Sequence, residues 1–183
     1  MDTPDIAGDI AHELYTPEQI ADRLAEIAAE IDSDYADTEP LLVGVLNGAV
    51  MVMADLARAL KSHCQMDWMA VSSYGSGTQS SGVVRFLKDL TTDISGRDVL
   101  VVEDIIDTGL TLSYLVSNLK SRGPNSLEIM TMFRKPEALQ NSVEVKYVGF
   151  DIPNEFVVGY GLDYDGRYRN YRGLSTLDPK VYS

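Results

Sequence analysis

The 183-residue sequence contains one cysteine, Cys64, one tryptophan, Trp68, and two histidines, His12 and His63. A lone thiol excludes an intrachain disulfide and any cysteine-based zinc cluster, and two imidazoles are too few for a histidine-rich metal site. No apolar run approaches the ~18 residues that a membrane-spanning helix needs. Met1-Asp2-Thr3-Pro4-Asp5 is acidic with no apolar stretch behind it, so no signal peptide is expected and the cytoplasm is the expected compartment. Positive charge is scarce: 15 Lys and Arg face 28 Asp and Glu, a net charge of −13. Such a balance disfavours nucleic acid and anionic membranes as partners. The two familiar glycine-rich phosphate loops are missing as well. There is no G-x-G-x-x-G, and no lysine follows Gly109, which excludes a Walker-type loop.

What is present suffices for one domain with a substantial core. Thr16-Pro17-Glu18-Gln19 reads as a helix start, with Thr as N-cap, Pro in the first turn and Gln completing a capping box. Ile20, Leu24, Ile27 and Ile31 continue it at helical spacing to about Asp32. Leu41 to Leu46 is a short apolar strand, followed at Asn47-Gly48 by a helix marked by Val52, Met53, Leu56 and Leu60. Met66 to Ser73 and Val83 to Leu87 read as strands around a Ser/Gly-rich loop. Asp98 to Val102 is a further strand, with a helix from about Thr108 to Arg122 stopped by Gly123-Pro124. Two more strands are expected at Leu127 to Phe133 and Val145 to Phe150, whereas the tail from Asp151 has no long period. This alternation predicts an α/β fold, a parallel sheet flanked by helices on both faces.

The most informative run is Val101-Val102-Glu103-Asp104-Ile105-Ile106-Asp107-Thr108-Gly109-Leu110-Thr111. Carboxylates at the carboxyl end of a buried strand can hold sugar hydroxyls or a metal, and that end is where ligands of open α/β sheets sit. The following turn offers backbone amides, two hydroxyls and a positive helix end to a phosphate. Taken singly, Asp107 reads equally well as a helix cap. The whole run resembles the signature of the type I phosphoribosyltransferases, which use phosphoribosyl pyrophosphate. That resemblance implies a core at about 36–150 and a small hood over the base from about 1–35 and 151–183, in one domain of residues 1–183. It gives Glu103 and Asp104 to the ribose hydroxyls, Asp107 to Thr111 to the 5′-phosphate, and Asp107 the role of catalytic base.

Further segments resemble the purine branch of that family. Leu46-Asn47-Gly48-Ala49 is by itself a strand-to-helix turn. In the family it is a pyrophosphate-binding loop with a strained peptide, and Lys or Arg usually stands where this chain has Asn47. Ser73-Tyr74 matches the mobile catalytic loop, a lid that keeps water from an oxocarbenium-like centre. Lys135 is similar to the lysine that donates to the 6-oxo group of a purine. By composition alone Phe156 and Val157 are plain core. The resemblance has Phe156 stack on the base, Val157 contact it through its backbone, Asp163 meet the metal and Arg169 bind pyrophosphate. An acidic protein with a polyphosphate substrate needs local positive potential, so Mg²⁺ is the expected cofactor, with Glu103, Asp104 and Asp163 as its residues. The expected reaction joins hypoxanthine or guanine to the donor sugar. Adenine, xanthine or pyrimidine as acceptor, or a non-catalytic donor sensor, are the alternatives, and a nucleic-acid-binding sensor would need a basic face that this chain lacks. The family usually forms homodimers or homotetramers, and Met51, Met53 and Leu60 fit an interface or the core equally.

Overall fold

The computed structural model describes residues 8–73, 84–141 and 143–181, with the side chains of Ser73 and Val84 outside the description. Its centre is a six-stranded sheet. Strand β2 (Leu41–Leu46) is nearly all buried, as is the core of β5 (Asp98–Ile106), because both have neighbours on either side and helices above and below. The order across the sheet is β4 (Val84–Lys88), β3 (Gln65–Ser73), β2, β5, β6 (Ser126–Arg134) and β7 (Tyr147–Asp151). All neighbours run parallel except β4, which folds back antiparallel on β3.

Successive residues of a strand face opposite sides, and the two sides meet different helices. Leu42, Leu100, Val102 and Met130 pack with α1 (Pro17–Asp34) and α2 (Val50–Ala59). Leu41, Val43, Val99 and Val101 pack with Leu112, Leu115 and Leu119 of α3 (Leu110–Lys120). The capping box of α1 is formed: the Gln19 amide donates to Thr16 Oγ1 at 3.3 Å and the Thr16 amide donates to Gln19 Oε1 at 2.9 Å. Ile20, Leu24, Ile27, Ala28 and Ile31 are its buried stripe.

Several boundaries differ from the expectation. Strand β5 runs four residues beyond Val102, because β6 continues beside it and pairs Glu103 with Thr131 and Ile106 with Arg134. Glu103 and Asp104 therefore lie within the strand rather than after it. Helix α3 starts at Leu110, not Thr108, because Gly109 turns the chain with φ +76°. A strand β1 (Ile10–Tyr15) that the sequence reading did not anticipate pairs antiparallel with β9 (Leu174–Leu177), which also pairs with the two-residue β8 (Val157–Val158). This second sheet brings the two ends of the chain together. Helix α1 lies against α2 and β7, where its apolar stripe finds cover. Among the described residues no helix is long and apolar enough to cross a membrane.

Candidate active site

At the carboxyl ends of β5 and β6 a cleft of about 200 Å³ is lined by Asp104, Ile105, Asp107, Lys135, Phe156, Val157, Leu162, Asp163 and Arg169. Seven of these were expected from sequence; Ile105 and Leu162 were not, because nothing in an isolated aliphatic residue marks it as a cleft wall. Opposite charges meet in two pairs. Lys135 Nζ lies 3.3 Å from Asp107 Oδ2, and Arg169 Nη2 lies 2.7 Å from Asp163 Oδ1. Lys135 is buried, placed by the extended β6 and by its own amide donating to the Ile106 carbonyl at 2.9 Å. Asp107 is not the cap of α3: Gly109 holds that position and no side chain bonds the cap. Its carboxylate, about half exposed, is turned to Lys135 instead.

Asp163 also accepts the Gly166 amide at 2.8 Å. Arg169 is oriented by donating Nη1 to the Gly161 carbonyl at 2.7 Å. Phe156 is 43% exposed at the rim of the cleft, and its ring stands edge-on to that of Tyr164 at 5.7 Å. Val157 is buried beside it.

Asp104 is, among the described residues, the cleft acid without an ion pair. Burial pushes its carboxyl up to about 6, the Asp163 charge pushes the same way, and the Ile105 amide at 2.8 Å and the Arg169 charge partly offset the rise. Glu103 is buried behind it and is raised well above the ordinary carboxylate range, first by burial and then by Asp104. These acids hold a costly charge in place, which a ligand with hydroxyls or a cation would relieve. The folded protein binds the Asp104 proton more tightly than the unfolded chain does, so this group's contribution to stability grows as pH falls from about 6 toward 4 and is unfavourable at pH 7. Asp104→Asn is therefore expected to raise the melting temperature of the ligand-free protein at pH 7 by on the order of 5 °C. The gain should vanish below about pH 4; calorimetry across pH checks this, and a lower melting temperature at pH 7 would contradict the burial argument.

Asn47 and Gly48 follow β2 at the edge of this site, with a cis peptide between Leu46 and Asn47 and the Asn47 side chain exposed. A Cβ on Gly48 would stand 1.6 Å from Asp104 Oδ2, so only glycine lets the loop lie against that carboxylate. Thr108 to Thr111 form the mouth of α3. The first helical bond there is Ser113 N to Gly109 O at 2.9 Å, so the amides of Leu110 to Leu112 point out of the helix end without an intrahelical acceptor. Leu110 N also approaches Thr108 Oγ1 at 3.5 Å. Ser73 ends β3; Tyr74, the second expected lid residue, lies outside the described residues. Glu103, Asp104 and Asp163 do not converge as a set of three ligands, and no such cluster exists among the described residues.

A model of the phosphoribosyl transferase domain matches residues 11–165. The chain belongs to the phosphoribosyltransferase family. Among its relatives, the hypoxanthine-guanine phosphoribosyltransferase of Mycobacterium tuberculosis is 58% identical over 181 residues, covering 96% of this chain and 90% of the relative. The enzyme of the same name from Bacillus subtilis is 48% identical over 174 residues, covering 95% and 97%. A crystal structure of a hypoxanthine phosphoribosyltransferase from Staphylococcus aureus superposes with a TM-score of 0.94 at 45% identity, covering 97% of each chain.

Proposed function

We propose that this protein transfers the 5-phosphoribosyl group of phosphoribosyl pyrophosphate to hypoxanthine and guanine, releasing pyrophosphate and giving IMP and GMP, a reaction of purine salvage. The observation that carries this reading is the Lys135–Asp107 pair beside the exposed Phe156 ring. A 6-oxopurine lying on Phe156 presents an acceptor oxygen and an imidazole N–H on one edge. Lys135 Nζ would donate to the oxygen and Asp107 would accept the N–H, so the base replaces the bond that the two side chains make to each other. Adenine offers an amino group where Lys135 needs an acceptor.

Asp107 then takes the proton from one imidazole nitrogen as the other attacks the anomeric carbon. The amides of Leu110 to Leu112, with the hydroxyls of Thr108 and Thr111 and the turn at Gly109, would bind the 5′-phosphate, fixing the sugar from a point remote from the reacting bond. Glu103 and Asp104 would meet the ribose hydroxyls, Asn47, Gly48 and Arg169 the pyrophosphate, and Val157 the base through its backbone. Ser73 and Tyr74 complete the reading as part of a lid. Mg²⁺ is usually held by one or two carboxylates together with substrate phosphates, and a cleft with separated acids rather than a cage fits an ion that arrives with the donor. Asp104 and Asp163, with Glu103 behind, would hold it, and it would supply positive charge to neutralise the leaving pyrophosphate. The reading implies a cytoplasmic enzyme and a homodimer or homotetramer, testable by sedimentation as two or four times the 20.1 kDa of one chain.

Equilibrium titration with phosphoribosyl pyrophosphate tests the site. Binding that requires Mg²⁺ and disappears in Asp104→Asn supports it; Mg²⁺-independent binding unaffected by that change would contradict it. Asn47 supplies an amide where a cation is usual, so Asn47→Lys is expected to tighten pyrophosphate binding by about threefold to tenfold, the scale of one added charge-assisted hydrogen bond near a surface. Equal dissociation constants for the two proteins would remove Asn47 from the pyrophosphate site.

A further inference from the structure

Tyr160 is absent from the cleft wall, yet its backbone is under strain. Gly159, Tyr160 and Gly161 have successive φ values of +102°, +47° and +100°. Glycine adopts such values freely, whereas a tyrosine does so at a cost of about 1 kcal/mol. The surroundings hold it there. Its amide donates to the Tyr171 carbonyl at 2.7 Å, its ring stands edge-on to Phe133 at 6.2 Å, and it is 6% exposed. Its hydroxyl donates to Asp55 Oδ2 at 2.9 Å.

Asp55 belongs to α2, the helix that begins directly after Asn47-Gly48-Ala49. Its carboxylate is shared with Arg58, one turn on. Tyr160 thus ties the tail to the helix that carries the Asn47-Gly48 loop. The next residue makes the tie consequential. Gly161 accepts Arg169 Nη1 at 2.7 Å and donates its amide to the Arg169 carbonyl at 3.1 Å. A Cβ on Gly161 would fall 2.1 Å from the Gly48 carbonyl oxygen, so the two backbones are in direct contact. The Asn47-Gly48 loop and Arg169 therefore rest on one residue, whose orientation is set by its neighbour Tyr160.

We infer that Tyr160 and Asp55 are a positioning pair for the leaving pyrophosphate. Neither touches it; together they fix the separation of the Asn47-Gly48 loop and Arg169 on either side of it. The inference rests on the assignment of those two elements to pyrophosphate. It predicts an effect on one substrate and not on the other, since Lys135, Asp107 and Phe156 are held by other contacts.

The test compares Tyr160→Phe, which removes the hydroxyl and keeps the ring, with Asp55→Asn, which keeps an acceptor oxygen, and with Arg169→Ala as reference. KM for pyrophosphate in the reverse reaction, KM for donor and for hypoxanthine in the forward one, and melting temperature are measured on each. Tyr160→Phe should raise KM for pyrophosphate and donor by about threefold to tenfold, the usual scale of indirect coupling, with KM for hypoxanthine unchanged. Asp55→Asn should do less. A lower melting temperature with all KM values unchanged, or an equal rise for hypoxanthine and pyrophosphate, would overturn the inference as a mere packing effect. If Arg169→Ala leaves KM for pyrophosphate unchanged, the site assignment itself fails and the inference falls with it. If Arg169→Ala raises it and Tyr160→Phe does not, the site stands and only the positioning pair is lost.

Discussion

Asp107→Asn is expected to lower the turnover number by about 100-fold to 10,000-fold, the range for loss of a well-placed base, with little change in KM for the donor. Asn keeps the shape of the side chain and an oxygen that can face Lys135 Nζ across the 3.3 Å of the present pair. It cannot take a proton. The asymmetry follows from where Asp107 points: toward Lys135, where the proposed reading puts the base, not into the first turn of α3. Steady-state kinetics with donor and hypoxanthine varied separately provide the check. A fall in donor affinity with turnover preserved would move Asp107 from proton transfer to phosphate binding. Preservation of both would leave it no catalytic role.

Gly48→Ala is expected to reduce kcat/KM for the donor by about 100-fold or more, the penalty that a displacement near 1 Å imposes on a reacting site. The added methyl would stand 1.6 Å from Asp104 Oδ2 and 2.5 Å from its Cγ. Asp104 has little freedom to yield, because its other oxygen accepts the Ile105 amide at 2.8 Å. The loop has little freedom either, because the Gly48 carbonyl oxygen is packed against Gly161. One of the two must move, and both are assigned to the donor. Overpacking also lowers stability, by about 1–3 kcal/mol. Gly8→Ala is a suitable control, since nothing lies within 4 Å of the position its Cβ would take. Donor kinetics near wild type in Gly48→Ala would show that the contact between loop and carboxylate is irrelevant to catalysis.

The two substitutions bear on features of unequal legibility. Asp107 stands in a contiguous run whose strand, acids and turn are local, so the sequence displays it. Strands β2 and β5 are legible for the same reason: burial on both faces makes them continuous apolar segments. Helix α1 announces itself through its capping box and stripe. The contact of Gly48 with Asp104 joins the loop after β2 to a residue of β5, and no local pattern encodes it. The same holds for Lys135 with Asp107, 28 positions apart, and for Tyr160 with Asp55, 105 apart. Strand β1 escapes a sequence reading because none of its residues is fully buried and its partner β9 is at the opposite end of the chain. The extension of β5 to Ile106 escapes it because charged residues normally mark a strand's end. Here β6 supplies the backbone partners that carry Glu103 and Asp104 inside.

The most direct measurement is nucleotide formation by the purified protein with Mg²⁺, phosphoribosyl pyrophosphate and, in turn, hypoxanthine, guanine, xanthine and adenine. The predicted result is IMP and GMP from the first two, no AMP from adenine, and a loss of that discrimination in Lys135→Gln. Donor binding without product from any base would contradict catalysis and make the protein a donor sensor. Product from adenine at a rate comparable to hypoxanthine would contradict the role given to Lys135 and the base specificity built on it.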